Sequence, residues 1–146
     1  MPDVNNIENL RAWFRSCPAL SAQSPFRVDY LSEEPVEYSL FSLPSTIAYH
    51  ENVLGELIPN EKQKMQFVFA SNESWSADIR QNVLNFGFYQ DVTRWIMEQN
   101  AACIFPRIDN GRVLSIVPTL SQYVAAPGTD SARYQIQIEV TYKMTA

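Results

Sequence analysis

Cysteine is nearly absent: of 146 residues only Cys17 and Cys103 carry a thiol, far apart and outside any CxxC pair. That spacing gives no support to a disulfide scaffold or a thiolate zinc site, and both read as buried, reduced thiols. Glycine is scarce too, with four residues, and no GxxxxGK[ST] or GxGxxG loop occurs. Phosphate-cradling backbone of that kind is therefore excluded, and no serine lies in GxSxG. The lone histidine, His50, leaves most metal sites and conventional triads without a nitrogen ligand or general base. No segment reaches the roughly 18 apolar residues that span a bilayer. With early acids in MPDVNNIENL as well, the expectation is a chain that stays soluble where it is made, with no membrane partner.

Basic charge is also short. Eleven Lys and Arg stand against sixteen Asp and Glu, a formal charge of -5. Counterion release on a phosphate backbone is then a poor source of affinity, which argues against a dedicated nucleic-acid binder. What is present is ordinary for one globular core: 46% hydrophobic, 18% charged and 12% aromatic residues. Residues 1–146 read as a single domain without repeats.

Asn5 and Glu8 resemble a capping box, and Ile7, Leu10, Phe14 and Cys17 repeat at helical spacing until Pro18 stops them. A helix over about 5–16 is predicted, its stripe widened by Trp13. Short strands follow at Phe26–Tyr30 and Glu37–Leu43, and Thr46–Tyr49 continues toward the sheet. Residues 50–62, HENVLGELIPNEK, mix charge with Gly55 and Pro59 and read as an exposed excursion. The strand KMQFVFA then places Met65, Phe67 and Phe69 on one face.

Asp78 and Gln81 cap a helical segment whose stripe is Ile79, Val83 and Phe86, and a second piece carries Phe88, Val92, Trp95 and Ile96. Gly87 between them implies either one bent helix or two. Arg112–Val124 is extended, and Pro118 within it calls for an edge position or a bulge. The expected class is α+β: a mostly antiparallel sheet packed on one face by an N-terminal helix and a central bent or double helix, ending in a long C-terminal β-hairpin.

The final stretch, DSARYQIQIEVTYKM, separates two chemistries by parity. Tyr134, Ile136, Ile138, Val140, Tyr142 and Met144 fall on one side; Arg133, Gln135, Gln137, Glu139 and Thr141 fall on the other. A strand of about thirteen residues spans roughly 40 Å, long beside the usual five or six residues. Its apolar face packs under the helices, and its polar face meets water, a neighbouring subunit or a lumen.

No catalytic, cofactor-binding or metal constellation emerges. Glu33, Glu34, Glu37, Glu51, Glu56 and Glu61 lie around predicted turns and read as a solvated acidic rim. Trp13 and Trp95 read as core, and Trp75 as a surface residue. Binding or assembly is favoured over catalysis. A small enzyme or ligand-binding domain using His50 and nearby carboxylates is the alternative from another class.

GFYQDVTRWIMEQN and VLSIVPTLSQYVAAPGTDSARYQIQIEVTYK resemble the tail-terminator, or tail-completion, proteins of phages and phage-like contractile particles from Gram-positive bacteria. The similarity runs from NIENLRAWFRSCP to the final strand and is most specific at GFY-x-x-V-x-x-W-I and D-x-ARYQIQ. It implies a non-enzymatic, cofactor-free α+β subunit that forms a homo-oligomeric ring, commonly sixfold, at the head-proximal end of a tail tube. Its partners would be the tail tube and tail sheath proteins, and connector proteins where a capsid is present. DNA would only pass through the lumen, non-specifically. Such a protein works first in the bacterial host cytoplasm during assembly and then at the tail-neck junction of the virion or tail-like particle. A head-to-tail adaptor is the neighbouring alternative. Candidate subunit or lumen contacts are Arg133, Gln135, Gln137, Glu139 and Thr141. Glu51, Leu54, Glu56 and Glu61 belong to the loop that either reaches a partner or stays idle.

Overall fold

The computed structural model describes residues 5–31, 37–74, 79–127 and 131–145. In chain order the elements are α1 (Asn6–Arg15), β1 (Phe26–Val28), β2 (Glu37–Leu43), β3 (Tyr49–Glu51), β4 (Leu57–Pro59), β5 (Lys62–Ser74), α2 (Ile79–Ala101), β6 (Gly111–Pro127) and β7 (Ser131–Met144). Five strands form one sheet in the order β1-β2-β5-β7-β6, antiparallel except for the β1–β2 pair. The fold is α+β, as its alternating strands and periodic helices require.

Helix α1 begins where the sequence places it. The Asn5 side chain accepts from the Glu8 amide at 3.0 Å, while Glu8 pairs with Arg11 at 2.8 Å instead of completing the capping box. Its buried stripe is Leu10, Trp13 and Phe14. Phe14 stacks on Phe69 of β5 at 5.1 Å between ring centroids and also meets Phe26 and Trp95, which brings both helices onto one sheet face. Trp13 packs on Trp95 at 4.5 Å and donates its indole N–H to the Ile104 carbonyl at 2.9 Å. Both tryptophans are therefore core residues; Trp75 lies outside the described residues.

Helix α2 is continuous through Gly87 from Ile79 to Ala101, one helix of 23 residues rather than two. A mid-helix glycine costs about 0.5–1 kcal/mol relative to alanine, an amount that the flanking turns absorb. The predicted stripe is rotated in the first half of the helix only; Val92, Trp95 and Ile96 of the second half are buried as expected. Asn85, Tyr89, Val92, Trp95 and Ile96 are buried, whereas Val83 and Phe86 are 63% and 57% exposed. Several spacings of three and four fit this sequence, and packing on the sheet selects the one that buries Tyr89. Asp78, the expected cap, lies outside the described residues.

Strands β5, β7 and β6 run well past β2, which pairs only with Gln66–Asn72 of β5. Strand β6 pairs with β7 alone among the described residues, and its register shifts between Val113 and Ser115 and between Pro118 and Leu120. Pro118 thus sits on an edge strand beside a bulge, the two places where a missing N–H is tolerated. The excursion 50–62 is not irregular: β3 and β4 make a small antiparallel ribbon separate from the main sheet, which Thr46–Tyr49 does not join. Cys17 is buried as expected, but Cys103 is exposed just beyond α2. It takes φ 57 where the helix must end.

Phe14→Ala should lose about 3–5 kcal/mol of unfolding free energy, because it empties the centre of the aromatic cluster. Phe86→Ala should stay within about 0.5 kcal/mol. Urea denaturation of the two variants tests, in turn, the aromatic cluster and the outward placement of Phe86 on α2.

Candidate functional site

Parity along β7 divides the chain's chemistry as the sequence suggests. Tyr134, Ile136, Ile138 and Val140 are buried against the helices, and Arg133, Gln135, Gln137 and Glu139 lie half-buried on the other face. Thr141 departs from that set. It is only 8% exposed, between Lys64 and Ser115 in register, so it does not present itself to solvent.

The helix-free face has its own packing. Arg133 of β7 lays its guanidinium over the Phe41 ring of β2, 4.4 Å from the centroid. That contact crosses β5 between the rows of Val68 and Asn72, where Ala70 stands fully buried. A methyl side chain there is what lets cation and ring meet. Glu37, expected on an acidic rim, is instead 5% exposed in β2 and pairs with Arg27 at 2.9 Å. Glu33 and Glu34 lie outside the described residues. Farther along, Lys64 approaches Glu139 at 3.5 Å. With Arg27, Arg133 and Lys64 against Glu37 and Glu139, this face does not concentrate the chain's negative charge.

Glu51 and Glu56 are exposed on the β3–β4 ribbon, and Glu61, between β4 and β5, is exposed and 3.7 Å from Lys143. The ribbon's tip is tightly made: Asn52 Oδ1 accepts from the amides of Leu54 and Glu56 at 2.9 and 3.0 Å, and Gly55 takes φ 80. Its root is held by Gln63, a buried residue of β5. Gln63 Oε1 accepts from the Ala48 amide at 2.9 Å, and Nε2 donates to the carbonyls of Ala48 and Asn60 at 2.8 and 2.9 Å. His50 is exposed and shares a 2.7 Å hydrogen bond with Asn60 through Nδ1. Leu54, at 79% exposure, stands at the tip beside Val53, and Leu57 follows in β4.

A second polar cluster, not anticipated from sequence, lies beneath α2. The Tyr89 hydroxyl donates to the Tyr134 carbonyl at 3.0 Å and shares a short hydrogen bond with Ser71 Oγ. Asn85 Nδ2 donates to the Tyr134 hydroxyl at 3.3 Å. Burial pushes the Glu73 carboxyl from its ordinary 4.5 up to about 7, against the smaller opposing effect of a hydrogen bond from Ser71. Burial likewise drives Tyr89 well above the usual phenol range. The sequence clue was an acid, Glu73, three residues past the predicted strand KMQFVFA and in phase with Phe67 and Phe69. A cavity of about 340 Å³ lies elsewhere, between the end of α1 and α2, lined by Cys17, Asp91, Arg94, Trp95 and Glu98. His50 is not part of it. Among the described residues no three His, Cys, Asp or Glu converge on a possible metal position, and no helix is long and apolar enough to cross a membrane.

No protein-family model matches the chain, and no curated protein shows significant similarity to it.

Two outcomes follow from these interactions. Gln63→Ala leaves the Ala48 and Asn60 backbone groups without their clamp and should cost about 1–3 kcal/mol. Hydrogen exchange should then accelerate across residues 48–60 before it does in β5. For Glu73, the folded chain holds its proton more tightly than the unfolded chain, so this group's stabilisation is full below about pH 4.5. It declines as pH rises and is gone above about 7, a change of roughly 3 kcal/mol. Glu73→Gln should therefore raise the melting temperature more at pH 8 than at pH 5.

Proposed function

We propose that this chain is a structural tail terminator. Copies of it form a ring at the head-proximal end of the tail tube of a phage or phage-like contractile particle and halt tube growth by occupying that end. The observation that carries the reading is where the two most distinctive sequence segments meet. In GFY-x-x-V-x-x-W-I, Tyr89, Val92, Trp95 and Ile96 are buried; in D-x-ARYQIQ, Tyr134 and Ile136 are buried. Tyr89 stacks on Tyr134 at 5.8 Å between ring centroids and bonds to its carbonyl. These motifs thus make a helix-to-sheet joint, and their similarity to the tail-terminator family is a similarity of scaffold, which suits a protein that acts by shape.

Capping requires two unlike surfaces that repeat head to tail until rotation closes. The long β5–β7–β6 ribbon and the projecting β3–β4 ribbon offer such surfaces without catalysis. Six copies are the expectation. Tube and sheath proteins are the partners, and DNA crosses the lumen without specific contacts. The work is done in the bacterial cytoplasm during assembly and at the tail-neck junction afterward.

Native mass spectrometry of the purified chain should show a closed oligomer, and electron microscopy should place it on the ends of tail tubes. A chain that stays monomeric and leaves tube ends bare overturns the proposal, and a ring that binds only portal-side components transfers it to a head-to-tail adaptor. Gln137→Lys and Gln137→Glu, made separately, should alter the oligomer if the polar β7 face meets a neighbour. An unchanged oligomer assigns that face to the lumen or solvent.

A further inference from the structure

Lys62 of β5, Lys143 of β7 and Arg112 of β6 stand directly opposite one another in register, three cations in one row across three strands. Parity places the row on the helix-free face with Gln137 and Glu139, in the part of the sheet that β2 does not reach. Neighbouring strands lie about 4.8 Å apart, so the row is about 10 Å long. Its backbone is closely held on both flanks. A Cβ added at Gly111 would stand 2.6 Å from the Lys143 carbonyl oxygen, and the Met144 amide donates to the Glu61 carbonyl at 2.7 Å.

Like charges directly opposite on paired strands repel. The chain relieves only the centre of this row: Lys143 has the exposed Glu61 carboxylate at 3.7 Å, and such a pair is weak. Lys62 and Arg112 are exposed and form no ion pair among the described residues, and Asp109, in the turn before β6, pairs with neither. One row on, Glu139 is taken up by Lys64 at 3.5 Å. A chain of formal charge -5 thus carries, at this end of its sheet, two cations without a counter-ion on either side of a third.

An anion laid along the row replaces two repulsions with three attractions. Length selects its type. A single carboxylate or orthophosphate is narrower than the row, whereas phosphates linked in series match it, and the Arg112 guanidinium presents a fork that fits two phosphate oxygens. We infer that the Lys62–Lys143–Arg112 row is a binding site for linked phosphates. Contacts of this kind carry no base-sequence information, which agrees with a chain too acidic for a dedicated nucleic-acid binder. The site belongs to the single chain and does not depend on the ring proposed above.

The test titrates the full chain at low salt with sodium tripolyphosphate and, separately, with single-stranded oligothymidylate, reading binding by calorimetry and folding by circular dichroism. Lys62→Gln and Arg112→Gln should each raise the tripolyphosphate dissociation constant at least about fivefold. Arg94→Gln, which removes the same charge from α2, should leave it unchanged, and Arg112→Lys should lose less than Arg112→Gln. Binding of tripolyphosphate alone assigns the site to free phosphate compounds. If the oligonucleotide also binds, and each Gln variant lowers the slope of log affinity against log salt by about one, the source is a nucleic-acid backbone. No binding of either probe, or equal weakening by Arg94→Gln, overturns the site. Tighter binding of polyglutamate than of either phosphate probe overturns it in favour of an acidic protein contact.

Discussion

Phe14 stacked on Phe69 is the contact from which the rest of the arrangement follows. It seats α1 on β5, and through Trp13, Trp95 and Phe26 it commits α2 and β1 to the same side of the sheet. Both helices are then spent on one face. The opposite face has to satisfy its polar residues with side chains from the strands themselves, and the far stretch of β5, β7 and β6 is left as a three-stranded ribbon that reaches the Gln63 clamp.

The two faces handle buried polarity differently. Beneath α2, Ser71, Tyr89, Tyr134 and Asn85 pair with one another, while Glu73 is pushed toward its neutral form by loss of water. Neutralisation there removes most of the cost of burying a carboxyl. On the helix-free face the charges remain: Glu37 is held by Arg27, and Arg133 rests on Phe41 across Ala70. These arrangements place Glu37, Glu73 and Arg133 in packing roles, and the ribbon of β3 and β4 keeps Glu51, Glu56, Leu54 and Leu57 exposed. The chain is thus a five-stranded sheet with both helices on one face and a separate two-stranded ribbon held at its base by Gln63.

The helix-to-sheet joint at Tyr89 and Tyr134 connects that scaffold to the proposed role. It fixes the orientation of α2, and with it the side of the helix on which Val83, Leu84, Phe86 and Gly87 appear. Gly87 lies two residues before Tyr89, so buried anchor and bare surface belong to one turn of helix.

Local chemistry alone was enough to specify the α1 cap at Asn5, the parity of β7, the Phe67 and Phe69 face of β5 and the edge placement of Pro118. Each depends on neighbours within a few residues, through hydrogen bonds to the adjacent backbone or the two-residue repeat of a strand. Tertiary packing decided the rest. The α2 sequence supports more than one apolar stripe, and only the sheet beneath it selects Tyr89 over Val83 and Phe86. Gly87 did not break the helix because the turns on both sides are anchored. Thr141 and Glu37 are polar by sequence and buried by register, and the ordered ribbon of residues 49–59 exists because Gln63, distant from its tip, clamps its base. In such cases the decisive partner lies on another element, and an amino-acid sequence states spacing while only the folded chain states who stands opposite.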